Sequence, residues 1–254
     1  MNSIAVSMLV SACVFVAGII GLNLHRVLPR EHLTKETQDV VRLGTGMVSV
    51  LASLVLGLLV ATAKGSFDTT DQAVRAYAAE IALLNETLRD YGRGAAGPHD
   101  TLREYTEQLL QNRWPKKGDR MPMALWSGKG GALLEHVREQ IRALKQMDDG
   151  QKWLLAQALD VSTSLLRQRW LLIEESGTNI HGTVLVILMC WIVAIFVSFG
   201  LNAPRNGTVV FAFLVCSIAI GGSIFLILEL DRPLSGVIRI SSWPVENALA
   251  QMNW

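Results

Sequence analysis

Four long runs without charged residues dominate the 254-residue chain. They cover Ile4–Leu24, Leu43–Ala63, Gly182–Pro204 and Asn206–Leu228, and each is at least 21 residues long. An α-helix rises about 1.5 Å per residue, so roughly 20 apolar residues span the ~30 Å hydrocarbon core of a bilayer. Because backbone groups in lipid must be hydrogen-bonded internally, runs of this length are typical of transmembrane helices. The pattern predicts an all-α integral membrane protein with four transmembrane helices.

The polar segment between the second and third runs, Lys64–His181, contains equal numbers of acidic and basic residues. Its apolar residues recur every three or four positions, which is typical of helices that bury one face. Only Gly65 separates the first of these helices from the second run, so the two are predicted to form one continuous rod. Residues Trp114–Gly131, rich in Pro and Gly, predict the one long loop. The predicted buried faces comprise Val74, Tyr77, Ile81, Leu84, Leu88 and Tyr91; Leu102, Tyr105 and Leu109; Leu134, Val137, Ile141 and Leu144; and Leu155, Ala158, Ser162, Leu165, Arg169 and Leu172.

These patterns divide the chain into four parts. Residues 1–64 hold transmembrane helices one and two, 65–181 a helical extramembrane domain, 182–232 transmembrane helices three and four, and 233–254 an amphipathic C-terminal tail. The domain is predicted to extend directly from helices two and three. The composition of Asn202–Gly207 predicts a tight turn, so that spans three and four run antiparallel. A short helix is predicted after Ser242.

Composition and charge exclude several classes of protein. The formal net charge of +1 gives no indication of a nucleic-acid partner. Cys13, Cys190 and Cys216 all lie inside uncharged runs, which excludes a disulfide framework for the domain and fits no zinc pattern. His136 and Glu139 are a weak metal-binding pair and fit a solvated helix face better. Without a Walker A, HExxH or G-x-S-x-G motif, the chain is predicted not to be an enzyme and to hold no metal or cofactor.

The second run has small residues at every fourth position. Ser49, Ser53, Gly57 and Ala61 follow one helix face, with Gly46 one turn earlier. One interpretation is close packing against another helix, as small-xxx-small patterns provide in lipid, and the pattern by itself favours it. The other is an axial pore in an oligomer, where small residues leave room and serines offer hydrogen bonds. The bulkier neighbours would then form a constriction that gates by dewetting, namely Val50, Leu54 and Leu58.

Charged residues cluster where the runs end. Lys64 follows span two, and Glu229, Asp231 and Arg232 follow span four. An even number of crossings separates these points, so they are predicted to lie on one side of the membrane. Glu229 is nearest to the hydrocarbon, where a carboxylate pairs or faces water, and Lys64 is its expected partner. The cluster would line a vestibule or, equally well, anchor the helix ends in the interface by snorkelling.

Lysine and arginine counts leave the orientation of the chain in the membrane open. Near the span ends, the side of the short loops and the side of the domain carry similar numbers of basic residues. The short loops alone favour a cytoplasmic first connection, which would put the domain outside.

Three stretches resemble a largely bacterial membrane family labelled bestrophin-like. They are Leu28–Arg42, Leu54–Asp68 and, most specific, the stretch from Ser198–Asn206 through Leu228–Gly236. True bestrophins are pentameric anion channels with four spans, in which span two lines the pore and long helices continue into a cytosolic domain. The resemblance therefore implies a protein of the bacterial inner membrane with a cytoplasmic helical domain. Span two has no aromatic residue for a bestrophin-type neck and no acidic run resembles a calcium clasp, so calcium gating is not implied.

Two functional hypotheses follow. The first is a homo-oligomeric channel, pentameric by analogy and conducting anions, with Ser49, Ser53, Gly57 and Ala61 lining the pore and Lys64 at its mouth. The second is a non-conducting membrane scaffold or sensor whose helical domain binds a partner. The expected partners in the first case are the lipid bilayer, inorganic ions and further copies of the chain.

Overall fold

The computed structural model describes residues 3–24, 35–114, 129–145, 148–175, 182–234 and 236–252. All regular secondary structure in these ranges is helical, as predicted. Besides a 3-10 helix at Arg93–Ala95, the helices are α1 (Ser3–Leu24), α2 (Lys35–Tyr91), α3 (Ala96–Arg113), α4 (Lys129–Arg142), α5 (Asp149–Glu175), α6 (Gly182–Asn202), α7 (Gly207–Leu230) and α8 (Trp243–Ala250). Four of them, α1, α2, α6 and α7, are long and apolar enough to cross a membrane, in agreement with the predicted spans.

The second span belongs to a single helix of 57 residues, α2. The predicted continuous rod is therefore present, and it does not break at Gly65. At about 1.5 Å per residue this helix is roughly 85 Å long, far more than a bilayer requires. It ends at Tyr91 and is followed by Gly92, whose φ of 93° is a conformation that favours glycine.

The described residues form two compact units. The membrane unit lies within Met1–Phe67 and Thr178–Ile238 and contains the apolar parts of all four spans. The polar unit lies within Asp68–Gly177 and Arg239–Trp254. The division falls inside α2, and the predicted C-terminal tail contributes residues to both units.

In the membrane unit, α1 packs closely against both α6 and α7. A Cβ added to Gly200 of α6 would lie 2.7 Å from the backbone nitrogen of Leu22 and 2.8 Å from the Cα of Gly21. A Cβ added to Gly221 of α7 would overlap the hydroxyl of Ser11. Small residues let helix backbones approach in lipid, where dispersion contacts hold helices together. The close helix crossings of this unit are therefore built from glycines of α1, α6 and α7.

The connection between α6 and α7 is the tight turn that its composition predicts. Asn206 is the N-cap of α7, and its side-chain oxygen accepts a hydrogen bond from the Val209 amide at 2.9 Å. Arg205 donates from Nε and Nη2 to the Leu22 carbonyl at 3.0 and 2.9 Å. A cation suits this position because the last carbonyls of a helix lack intrahelical partners and carry partial negative charge. The turn thereby ties the end of α1 to the start of α7.

The polar unit buries the helix faces predicted from periodicity. All of the predicted face residues are buried except Leu109 and Leu144, which are half-buried. The hydroxyl of Tyr77 on α2 hydrogen-bonds to that of Tyr105 on α3. The hydroxyl of Tyr91 donates to the Lys145 carbonyl at 2.8 Å. The predicted short helix after Ser242 is α8, which packs against α3.

The predicted loop Trp114–Gly131 ends earlier than predicted, because α4 already begins at Lys129. Gly130 and Gly131 lie in the first turn of α4, beside the guanidinium of the buried Arg169. A Cβ at Gly130 would be 3.0 Å from an Nη1 atom of that guanidinium, so the glycines make room for it. Residues 115–128 lie outside the described part of the chain. So does the predicted continuation of α5 towards span three, at residues 176–181.

Candidate functional site

Within the membrane unit, α2 has one packed face. Ala52 is buried in the same core cluster as residues of α1, α6 and α7, and Val48 and Val55 pack against that cluster. Near the start of the span, the hydroxyls of Thr45 and Ser198 are hydrogen-bonded at 2.7 Å. These contacts fix which side of α2 meets the bundle, and they leave its opposite side open.

The open face of α2 carries both sets of residues that the sequence singles out. Its most exposed large apolar side chains within the span, between 65% and 72% exposed, recur at spacings of three and four: Leu43, Met47, Val50, Leu54 and Leu58. The last three are the predicted constriction residues. Exposed beside them are three of the four predicted pore-lining residues, Ser53, Gly57 and Ala61. The fourth, Ser49, is half-buried at the edge of this face. The predicted constriction residues and the predicted pore-lining residues therefore lie on or at the edge of the same face of α2.

The serine hydroxyls on α2 are hydrogen-bonded within the helix. Ser49 Oγ donates to the Thr45 carbonyl at 2.7 Å, and Ser53 Oγ donates to the Ser49 carbonyl at 2.8 Å. A hydroxyl that donates its proton in this way presents only acceptor lone pairs to a neighbour. The expectation that the serines offer hydrogen bonds therefore changes: in this conformation they can accept a hydrogen bond but have no proton to donate to an anion.

The glycines on the open face of α2 contact no other part of the described chain. A Cβ built on Gly44, Gly46 or Gly57 would meet no atom within 4 Å. The glycines at the crossings of α1 with α6 and α7 are in backbone contact instead. Of the two interpretations of the small-residue pattern, close helix packing is therefore not realised for these glycines within the described part of a single chain.

A basic residue stands at each end of the open face. Lys64 is exposed at one end, and its Nζ lies 5.5 Å from the centroid of the Phe67 ring, a cation–π contact. Arg42 is exposed at the other end. It belongs to a shallow hollow of about 750 Å³ that is lined by Asp39, Arg42, Leu43, Gly46, Met47 and Val50.

Arg42 is a residue of the open face that the small-residue pattern does not include. It immediately precedes the uncharged run and therefore lies outside it. The helix begins at Lys35, seven positions earlier, and Arg42 lies four residues before Gly46. Residues four apart share a helix face, so a helical projection begun at Thr34 would have placed Arg42 on the face of the small residues.

Glu229, the charged residue nearest to span four, is buried at the end of α7, with 3% of its surface exposed. Its Oε2 accepts hydrogen bonds from the backbone amides of Val237 at 2.7 Å and Ile238 at 3.4 Å. Among the described residues these amides, and not Lys64, are its hydrogen-bond partners. The expected ion pair is thus replaced by backbone donors, which also satisfy a buried carboxylate.

The other edge charges lie just beyond Glu229. Asp231 is the C-cap of α7 and is half-buried, and Arg232 is exposed. A common vestibule formed by Lys64, Glu229, Asp231 and Arg232 stays a prediction.

Candidate metal ligands and thiols can be located in the part of the chain that the structure describes. No group of three or more His, Cys, Asp or Glu side chains there is placed to hold a metal ion. His136 Nδ1 and Glu139 Oε2 lie 3.6 Å apart on an exposed helix face. The three cysteines are exposed on the spans, and two of them, Cys13 and Cys190, line an apolar hollow of about 410 Å³ between α1, α6 and α7.

Comparison with known proteins finds one matching family model and several solved structures with a similar fold. A family model described as a bestrophin-like domain matches residues 10–245. A crystal structure of a point variant of a membrane protein superposes with a TM-score of 0.68 at 13% identity, covering 97% of this chain and 96% of that one. Two crystal structures of point variants of a bacterial bestrophin homolog from Klebsiella pneumoniae superpose with TM-scores of 0.67 and 0.65, at 14% and 13% identity. They cover 99% and 97% of this chain and 97% and 98% of their own. No curated protein sequence matches.

Proposed function

Because the chain belongs to the bestrophin-like family, we propose that it is an ion channel, formed by a homo-oligomer with α2 of each copy facing a central axis. The channel conducts anions and is a pentamer, as the resemblance to true bestrophins implies. It lies in the bacterial inner membrane with its polar unit in the cytoplasm. Fold similarity alone does not define an activity, so the case rests on the residues of α2.

The open face of α2 is the observation that carries the proposal. A span that serves only to pack uses its small residues at helix crossings, as α1 does with Gly21. On α2, Gly46 and Gly57 point away from the bundle, and the bulky Leu54 lies between them. Around an axis this order gives wide levels at the glycines and a narrow apolar level at Leu54. An apolar constriction of this kind gates by losing its water.

The charges at the ends of the open face favour anions. Arg42 and Lys64 would form a ring of positive charge at each mouth, and no charged residue lies between them along α2. Like-charged rings raise the local concentration of counter-ions and repel ions of their own sign. The serine hydroxyls, which present lone pairs, do not bind an anion strongly. Positive charge at both ends of the pore would attract anions, and weak binding between the ends would let them leave again. Conduction requires both.

Single-channel recording combined with cysteine accessibility tests the proposal. The purified oligomer is reconstituted into planar bilayers, and Leu54→Cys and Ala52→Cys are introduced into a chain whose three native cysteines are serine. A charged thiol reagent is expected to change the current through the Leu54→Cys channel and to leave the Ala52→Cys channel unaffected, because Ala52 is on the packed face.

Two outcomes contradict the channel. One is an intact oligomer that passes no current in any salt, voltage or pH; the other is a Leu54→Cys channel that the reagent does not affect. The first outcome favours a non-conducting scaffold or sensor. In that case Trp153 and Trp170 of α5, which are 64% and 67% exposed, are candidates for contacting a partner.

Charge reversal tests the selectivity separately from conduction. In a tenfold chloride gradient, Lys64→Glu and Arg42→Glu are each expected to move the reversal potential away from the chloride equilibrium potential, and the double variant further. Arg75→Glu is the matched control, because Arg75 is an exposed residue of α2 in the polar unit and pairs with Asp71 at 2.8 Å. Reversal potentials that are identical in all four variants would remove Arg42 and Lys64 from the conduction path.

A further inference from the structure

The chain folds back on α7 directly after the last span. Glu229 is on the final turn of α7, and the amides that bind its Oε2 belong to residues eight and nine positions further along. Removing a carboxylate from water is costly unless hydrogen bonds replace its hydration. Hydrogen bonds to a charged acceptor are also stronger than neutral ones. The fold-back and the burial of Glu229 therefore depend on each other.

The residue that precedes these two amides must be glycine for two independent reasons. Gly236 has a φ of 123°, a backbone conformation that L side chains rarely adopt. A Cβ at this position would also overlap Oε2 of Glu229 and lie 3.1 Å from its carboxyl carbon. Any side chain at this position would therefore displace the carboxylate from the amides. We call Glu229, Gly236 and the amides of Val237 and Ile238 the Glu229 latch.

A second anchor follows almost immediately along the chain. The carbonyl of Ile240 accepts a hydrogen bond from the indole Nε1 of Trp114 at 2.8 Å, and the Ile240 side chain is buried. Further on, Val245 and Met252 are buried in the polar unit. Arg239 is the one residue between the latch and this anchor. A residue spans at most about 3.6 Å, so the link has very little slack.

We propose that the Glu229 latch is a coupling device between the end of the last span and the C-terminal segment 239–252. While the latch is closed, the path of the chain is fixed on both sides of Arg239. A displacement of the C-terminal segment then acts directly on the end of α7, and a displacement of α7 acts on the segment. With the latch open, Val237 and Ile238 are no longer held to the end of α7, and neither end constrains the other through this connection.

Hydrogen exchange on the full-length protein in detergent micelles tests this inference, in wild type and in Glu229→Gln and Glu229→Ala. Loss of a hydrogen bond to a charged group predicts that the Val237 and Ile238 amides exchange about tenfold faster or more in Glu229→Ala. The increase is expected to be smaller in Glu229→Gln, which keeps the shape and one neutral acceptor. Coupling further predicts faster exchange in residues 243–252, while the core of α4, Leu134–Ile141, is unchanged.

A reciprocal variant separates coupling from a purely local role. Trp114→Phe removes the indole donor to Ile240 and keeps an aromatic ring in place. Because coupling between two sites is reciprocal, it is expected to raise exchange at Val237 and Ile238, although Trp114 is not part of the latch. Two results overturn the inference: unchanged exchange at Val237 and Ile238 in both Glu229 variants, or an increase confined to those amides together with no response to Trp114→Phe.

Discussion

The crossing of α1 and α6 gives a stability prediction whose size follows from the backbone atoms that surround Gly200. An added Cβ would overlap the Gly18 carbonyl oxygen and approach the Leu22 nitrogen and the Gly21 Cα to 2.7 and 2.8 Å. All three are backbone atoms, so no side chain can rotate away and the helices must separate. Overpacking costs about 1–3 kcal/mol, and backbone contact on three sides corresponds to the top of that range. Alanine recovers about 1 kcal/mol of helix propensity, which leaves a net loss of about 2 kcal/mol.

The assay is thermal unfolding in detergent micelles, followed by tryptophan fluorescence at one fixed scan rate. For a chain of this size each kcal/mol shifts the Tm by about 2–4 °C, so Gly200→Ala is expected to unfold about 4–8 °C below wild type. The matched control is Gly222→Ala on α7, where an added Cβ meets no atom within 4 Å. Its Tm is expected to equal or exceed that of wild type. Equal Tm values for the two variants would refute a crossing held together by glycine contact.

Two further predictions concern helix ends. Gly92→Ala is expected to destabilise the protein by about 1–3 kcal/mol, because φ of 93° with ψ of −163° is a region almost restricted to glycine; Gly97→Ala, with open space around it, serves as control, and equal Tm values for the pair would contradict the assigned strain. Arg205→Ala is expected to lose about 1.5–3 kcal/mol through its two hydrogen bonds to the Leu22 carbonyl, and Arg205→Lys to lose less, because lysine keeps the charge but not the paired donors. Unfolding midpoints in the order wild type, lysine, alanine would support this cap, and a lysine variant no more stable than the alanine variant would contradict it.

Helical periodicity was sufficient to predict which helix faces are buried in the polar unit. Residues such as Ile81, Leu84 and Leu165 recur at helical spacing, and all three are fully buried. The α6–α7 turn was predicted from its composition, and the continuous α2 from the single glycine, Gly65, that separates the second run from the next helix. Helical periodicity works because burial of one helix face is a local property of a helix, which spacing alone reports.

Contacts between distant segments were much harder to predict. The small residues of α2 are more regular than those of α1, yet Gly21 rather than Gly57 is at a helix crossing, because spacing does not say which helix is the partner. Glu229 was paired with Lys64 by charge, whereas its partners are backbone amides. Backbone amides have no sequence signature, and the one available signal was Gly236, whose positive φ was not readable from composition. The sequence singled out the small and bulky residues of the open face of α2. It did not include Arg42 at the end of that face, because Arg42 lies outside the uncharged run.

The glycine crossing of α1 and α6 also sets an order of events during synthesis. Gly21 and Gly200 are 179 positions apart, from 200 minus 21, so the first span is made long before its packing partner. At about 5–20 residues per second, a ribosome needs roughly 10–40 s to reach the third span. During that interval the first span is in the membrane with its glycine face unpacked, beside a second span whose glycines do not contact it. The helix that is made first can therefore reach its packed position only after its partners α6 and α7 have been made.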